Sequence, residues 1–341
     1  MVWRRFLAVL AVGFFGAAVC VEAAETTLTV FTGRANATEK QVMQDFTKET
    51  GIEVRLVDGK PAELIDAIVN ADEKPAADLF MVVDGGILEQ AKRKGVFGTT
   101  DSASLRDAVP DDLRDVDNAW VGVTTRARVI VYSKERVDPS ELSSYAALAG
   151  PEWKGRVLVR SSGALYNQSL LASLIAAYGE EAARNWADGI ARNLAREPKG
   201  GDRDQAKGVA EGAGDVAIMN SYYLGQMLRS DDPAERAAAE AVGVFFPDQD
   251  LAGTHINVCG VGIVAGSKHP AEALRLVEYL LSPAVQEKLS AGNNEFPINP
   301  TAKKSLFLES LGEFRGQKID FAELYRNREK AASILGESEW K

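Results

Sequence analysis

The chain is poor in the residues that usually carry chemistry. Its 341 residues include two cysteines and two histidines. So few cysteines exclude a disulfide-stapled scaffold and the paired Cys/His spacings of zinc modules. Two histidines leave little room for a histidine base, and no nucleophile elbow, His-Glu metalloprotease pairing or phosphate-binding loop occurs, so nothing marks a secreted enzyme. Excess positive charge is also lacking. The formal net charge of −10 argues against nucleic acid as a partner. Internal repeats and low-complexity tracts are absent. What remains is 46% hydrophobic residues with 26% charged, enough to build about two compact domains.

The first residues, Met1 to Phe6 with Arg4 and Arg5, lead into an apolar stretch ending at Val19, and Val21-Glu22-Ala23 follows. A charged start, a short hydrophobic middle and small residues at the cleavage positions read as a secretory signal spanning residues 1–23. The apolar run is shorter than the roughly 20 residues a spanning helix needs, which argues against a membrane anchor. Arg4-Arg5 is a weak twin-arginine signal, and Val19 is bulky where lipidation at Cys20 calls for a small residue. Cleavage leaves Cys259 as the sole cysteine, and its apolar neighbours mark it as a buried hydrophobe. The expected destination is secretion into an oxidising compartment.

Hydrophobic periodicity then organises the chain. Thr27–Phe31 alternates as a strand, Glu39–Thr50 has helical spacing up to Gly51, Ile52–Val57 alternates, Glu63–Ala71 is helical, and Asp78–Val83 is a wholly apolar strand. This βαβαβ order predicts a mostly parallel sheet covered by helices. A long strand at Thr124–Ser133 precedes a second α/β series. That series comprises the strand region Trp153–Val159, helices near Asn167–Tyr178 and Glu180–Leu194, and strands at Val216–Met219 and Val242–Phe246. Gly260–Ala265 and the helix Ala271–Leu281 have no partner in this second series, so the chain is expected to return to the first. The expected fold is α/β with two lobes: residues 24–125 plus 255–341, C-terminal helices included, and residues 126–254. Two crossings join them, and the carboxyl ends of both sets of strands face the cleft, where open α/β sheets bind ligands.

One stretch calls for a special account. Asn220-Ser221-Tyr222-Tyr223 follows an apolar strand. Successive residues of a strand point to opposite faces, so both phenols reach one site only if the strand has ended, with Ser221 as a candidate helix cap. A phenol with a reference pKa of about 10 is neutral in water. Hard oxygen donors nevertheless suit hard cations, and a bound cation can deprotonate its own ligands. Tyr166, in Ser161-Ser-Gly-Ala-Leu-Tyr166-Asn-Gln, stands at a comparable strand-to-helix passage. Taken alone, the three tyrosines fit half-buried residues at the rim of a core better than metal ligands.

The segments Asn220–Gly225 and Arg160–Leu170 resemble the periplasmic ferric-iron-binding proteins of ABC importers. Further similarity lies at Arg126–Tyr132, Val244–Gln249, Gly253–Asn257 and Gly292–Pro300, so it covers essentially the whole chain after the signal. The resemblance implies a two-lobed, hinged periplasmic binding protein that carries Fe³⁺ on phenolates from Tyr166, Tyr222 and Tyr223. It implies an arginine, Arg126 or Arg128, that holds a carbonate-type anion beside the metal, a role suited to a planar guanidinium. It further implies an ABC permease of the inner membrane as partner, and a receptor that must open and close on a permease is most simply a monomer. The chain departs from the pattern at Ala35 and Asn36, where such proteins carry a histidine or a histidine-tyrosine pair after the first strand. His255 and His269 lie elsewhere and read as structural and surface residues, respectively. Arg34, Asn36 and Asp58 are candidates to support the site from the first lobe. An alternative reading keeps the receptor and replaces iron by an oxyanion or small organic anion.

Overall fold

The computed structural model describes residues 26–71 and 76–341. The expected signal, with Arg4, Arg5 and Cys20, lies outside the described residues. In chain order the elements are β1 (Thr27–Thr32), α1 (Ala37–Thr50), β2 (Glu53–Asp58), α2 (Pro61–Val69), β3 (Leu79–Val82), α3 (Gly85–Arg93), α4 (Ala103–Ala108) and β4 (Val121–Ser133). Next come β5 (Val157–Leu158), α5 (Leu165–Tyr178), α6 (Glu180–Asn193), α7 (Asp202–Ala210), β6 (Val216–Asn220), α8 (Ser221–Leu228), α9 (Pro233–Ala241) and β7 (Val242–Phe245). The chain ends with β8 (Ile256–Ile263), α10 (Pro270–Leu280), α11 (Pro283–Asn293), β9 (Phe296–Pro297), α12 (Leu306–Ser310) and α13 (Phe321–Glu337).

The strands follow the order β2-β1-β3-β8-β4-β6-β5, with β7 and β9 also paired to β4. In the first lobe β1 lies parallel to β2 and β3, as the βαβαβ pattern demands. Strand β8 pairs antiparallel with β3, at the edge of this parallel set. Strand β4 belongs to both lobes. Its residues Val121–Ala127 pair with β8, while Arg128–Tyr132 pair with β6 and Ile130–Ser133 with β7. A two-lobed α/β architecture results, with β4 and the segment entering β8 as the hinge of the interlobe cleft.

Helix α1 shows how local sequence serves this packing. Val42, Met43 and Phe46 recur at helical spacing and are buried, each contributing about 1.5–3 kcal/mol relative to exposure. Asn36 caps the helix: its side chain accepts from the Glu39 amide, while Glu39 reaches back to the Asn36 amide. Gly51, at φ 73°, ends it in the left-handed conformation that a side chain disfavours.

The last segments lean on both lobes. Phe307, Leu308, Leu311 and Phe314 pack in a cluster with Met219, Leu224 and Met227 of the second lobe. Helix α13 packs against α3 and α5 at once. Cys259 is buried in β8, and burial pushes its thiol up to about 12, so it remains a neutral hydrophobe. Among the described residues no helix is long and apolar enough to cross a membrane.

Candidate metal centre

The three tyrosines meet because two parallel strands end together. Strands β5 and β6 are parallel neighbours, with Val157 opposite Val216 and Leu158 opposite Ala217. Each is followed by a helix, so the first turns of α5 and α8 emerge side by side at the carboxyl edge of the sheet. Tyr166 is the second residue of α5, and Tyr222 and Tyr223 lie in the first turn of α8. The hydroxyls of Tyr222 and Tyr166 are 3.2 Å apart, with the former donating. The rings of Tyr222 and Tyr223 are 4.2 Å apart, tilted by 39°. Tyr222 is buried, while Tyr166 and Tyr223 are half-buried.

The cap expected at Ser221 falls one residue earlier. Asn220 is the N-cap, Ser221 is the first helical residue, and the Ser221 hydroxyl accepts from the Ala127 amide of β4 at 3.4 Å. The reason is the Asn220 amide, which Asp202 engages through Oδ2 at 2.8 Å, fixing the end of β6 from outside the helix. Helix α8 also needs Gly225. A Cβ there would lie 2.6 Å from Cγ of Asn294 and 2.7 Å from Cδ1 of Phe307, so any larger residue would push the helix away.

Cations surround these phenols. The guanidinium carbons of Arg126, Arg128 and Arg160 lie 5.9, 5.8 and 5.5 Å from the Tyr166 ring centroid, and that of Arg203 lies 5.9 Å from the Tyr223 ring. Arg128 and Arg126 differ in how they are engaged. Arg128 is buried and bonded to Asp202 at 2.6 Å, to Oδ1 of Asn220 at 3.3 Å and to Oδ1 of Asn167 at 2.7 Å. Arg126 donates from Nη2 to the Val83 carbonyl of the first lobe, while its buried Nη1 has no hydrogen-bond partner among the described residues. Nε of Arg160 is likewise buried without a partner. Sequence reading did not single out Asp202, Arg160 or Arg203, since nothing in their local pattern announces that they face a tyrosine cluster.

Burial, followed by the neighbouring phenols of Tyr166 and Tyr223, pushes the Tyr222 hydroxyl well above its ordinary value. Burial, with Tyr166 next, raises Tyr223 as well. Both are therefore neutral phenols at pH 7, and only a strong positive charge placed among them would make them anionic. A trivalent cation bound to three phenolates gives a neutral unit, which suits a partly desolvated site. Among the described residues no three His, Cys, Asp or Glu side chains gather to hold a metal. A cavity of about 490 Å³ elsewhere mixes carboxylates such as Asp111, Asp112 and Asp115 with Lys92 and Arg93 and contains no tyrosine. Donor chemistry locates the site better than void size does.

Two of the three first-lobe candidates are otherwise engaged. Arg34 forms ion pairs at 2.6 Å with both Glu39 and Glu295, Asn36 caps α1 and donates to Asn293, and Asp58 ends β2 in an exposed position. His255 is buried, and burial with the nearby charges of Arg128 and Arg126 lowers it to about 3, so it is neutral. His269 precedes α10 and is partly exposed.

Residues 74–312 match the family described as bacterial extracellular solute-binding protein. Iron uptake protein A1 of Synechocystis is 41% identical over 92% of this chain and 87% of its own. The Fe(3+)-binding periplasmic protein of Serratia marcescens is 27% identical over 88% of this chain and 86% of its own. Among solved structures, Trichodesmium IdiA (FutA) in complex with iron and citrate superposes with a TM-score of 0.88 at 39% identity, covering 92% of this chain and all of that one. On these matches the chain belongs to the bacterial extracellular solute-binding protein family.

Proposed function

We propose that this protein is a periplasmic receptor for ferric iron, binding it through Tyr166, Tyr222 and Tyr223 and delivering it to an ABC permease of the inner membrane. The observation that carries this reading is the convergence of three phenols at the paired ends of β5 and β6, ringed by guanidinium groups. Iron-binding relatives over the same length of chain support it. The protein acts by binding and release, without turnover, and as a monomer.

In this reading each phenol gives up its proton to water as Fe³⁺ enters, and the arginines offset the negative charge of the phenolates. Three phenolates fill about half of an octahedral shell. The Arg126 guanidinium, its carbon 5.9 Å from the Tyr166 ring centroid and its Nη1 without a partner, suits a carbonate-type anion, which would complete the coordination. Arg128 acts from behind, since its guanidinium is held by Asp202, Asn220 and Asn167. Cargo is held mainly by the second lobe, because Ala35 and Asn36 offer no first-lobe donor.

The test is a visible absorption spectrum of the purified protein before and after adding ferric citrate and bicarbonate. A phenolate-to-iron charge-transfer band is expected. A colourless protein whose melting temperature rises with an oxyanion alone would replace iron by that anion as cargo.

A further inference from the structure

Trp340 lies three residues beyond α13, wholly buried. It meets Trp186 edge-on, with centroids 5.7 Å apart at 66°. The ion pairs Arg184–Glu337 at 2.6 Å and Lys330–Glu180 at 2.8 Å bring this end of the chain against the second lobe. From there the indole Nε1 donates to the carbonyl of Arg160 at 2.9 Å.

That carbonyl sits in the loop between β5 and α5, directly ahead of Tyr166. The loop has little of its own to fix it: it contains Gly163, and the N-cap of α5, Ala164, offers no side-chain hydrogen bond. Beyond one turn bond, from the Ala164 amide to the Ser161 carbonyl at 3.1 Å, its order comes from partners outside it. Nδ2 of Asn167 donates at 3.0 Å to the carbonyls of Arg160 and Ser161, and Oδ1 of Asn167 accepts from Arg128. Asn167 thus ties the loop to Arg128, and Trp340 ties it to the C-terminal segment. Between the two anchors stand the Arg160 guanidinium and the Tyr166 ring beneath it.

We propose that Trp340 is a positioning residue for the tyrosine cluster, holding the Arg160 carbonyl so that Arg160 and the first turn of α5 present Tyr166 toward Tyr222. This inference rests on the ferric reading above for its consequence in binding, though not for the positioning itself. Trp340→Phe keeps a ring against Trp186 and removes the N–H donor. Fluorine NMR of the metal-free protein carrying fluorotyrosine, with the Tyr166 signal assigned by Tyr166→Phe, is expected to show that signal displaced in Trp340→Phe. Release of ferric iron to a competing chelator should accelerate roughly fivefold, the effect of one lost hydrogen bond. In a Tyr166→Phe background Trp340→Phe should add no further acceleration. An unmoved Tyr166 signal, or equal acceleration in both backgrounds, would overturn the proposal. So would a Trp340→Phe protein that fails to fold, which would assign the indole N–H to stability alone. If the unsubstituted protein shows no ferric band, the functional reading falls, and the fluorine spectrum by itself decides the role of Trp340.

Discussion

Two strand-to-helix passages at the cleft use similar backbones for opposite ends. In the first lobe, β1 passes through Gly33–Asn36 into α1. Arg34 there is neutralised by Glu39 and Glu295, Glu295 also accepts from Thr124 at 2.7 Å, and Asn36 spends its side-chain oxygen on the helix cap. In the second lobe, β6 passes into α8 with no side-chain cap, and Tyr222 and Tyr223 turn toward Tyr166 and cations whose hydrogen-bonding capacity is not exhausted. The first passage is built for stability. The second keeps unspent polar capacity where a ligand can use it, at a cost in local order that Asp202 and Arg128 offset.

If that contrast holds, the largest effect comes from Tyr222→Phe combined with Tyr223→Phe. The pair should abolish the ferric charge-transfer band, while the melting temperature stays within a few degrees because the rings remain packed. Retained iron at normal stoichiometry would end the ferric reading. Next in size is Asp202→Asn. Arg128 and Asp202 are 1% and 0% exposed, and removing one partner of a buried ion pair costs about 3–5 kcal/mol. Denaturant unfolding should show that loss, and iron affinity should fall with it because Asp202 also fixes the end of β6.

Glu295→Gln probes the first passage and should affect stability alone. Burial would raise the Glu295 carboxyl, but the charge and hydrogen bonds of Arg34, aided by Arg126 and Thr124, hold it below its ordinary 4.5. A group whose folded pKa is depressed contributes stability that is complete above the unfolded value and is lost as pH falls through the folded one. The wild-type advantage over Glu295→Gln should therefore be constant near neutrality and shrink below pH 4.5. Glu39 works in the opposite sense: burial outweighs Arg34 and raises it, and because the Glu295 charge raises it further, this substitution should bring Glu39 partly back toward its ordinary value. The ferric band at neutral pH should be unchanged; its loss would mean that the first passage also serves the site.

The sequence was most informative where a single segment carries its own reasons. The spacing of Val42, Met43 and Phe46 fits only a helix with one buried face, and the alternation of Thr27–Phe31 fits only a strand, so β1 to β3 were legible within a few residues. That β8 would look beyond the second series for a partner, as its pairing with β3 shows, followed from a lack of partners there. Helix α3 escaped notice because it begins with Gly85 and Gly86, poor helix formers; it is started by Asp84, whose side chain accepts from the Ile87 amide. Tyr222 and Tyr223 stood out because neighbouring residues of a strand point to opposite faces, so both reach one site only where the strand has ended. Their surroundings did not, since Asp202, Arg160 and Arg203 are brought to them only by folding. Pairings such as Arg34 with Glu295, 261 residues apart, leave no local trace at all.

The smallest expected effect is also the most selective. Asn36 occupies a position where the resemblance calls for a metal ligand, yet it accepts from the Glu39 amide at 2.9 Å and donates to Asn293 at 3.1 Å. If these contacts are its whole role, Asn36→Ala should cost about 1 kcal/mol, the usual loss of an N-cap, with no change in the ferric spectrum or in the rate of iron release. Asn36→Asp should recover most of the stability, because a carboxylate caps a helix as well as an amide does and suits its positive end. A faster release of iron from Asn36→Ala at unchanged stability would place Asn36 within reach of the cargo. The first lobe would then take a direct part in holding iron, and the division of labour between the two passages would have to be redrawn.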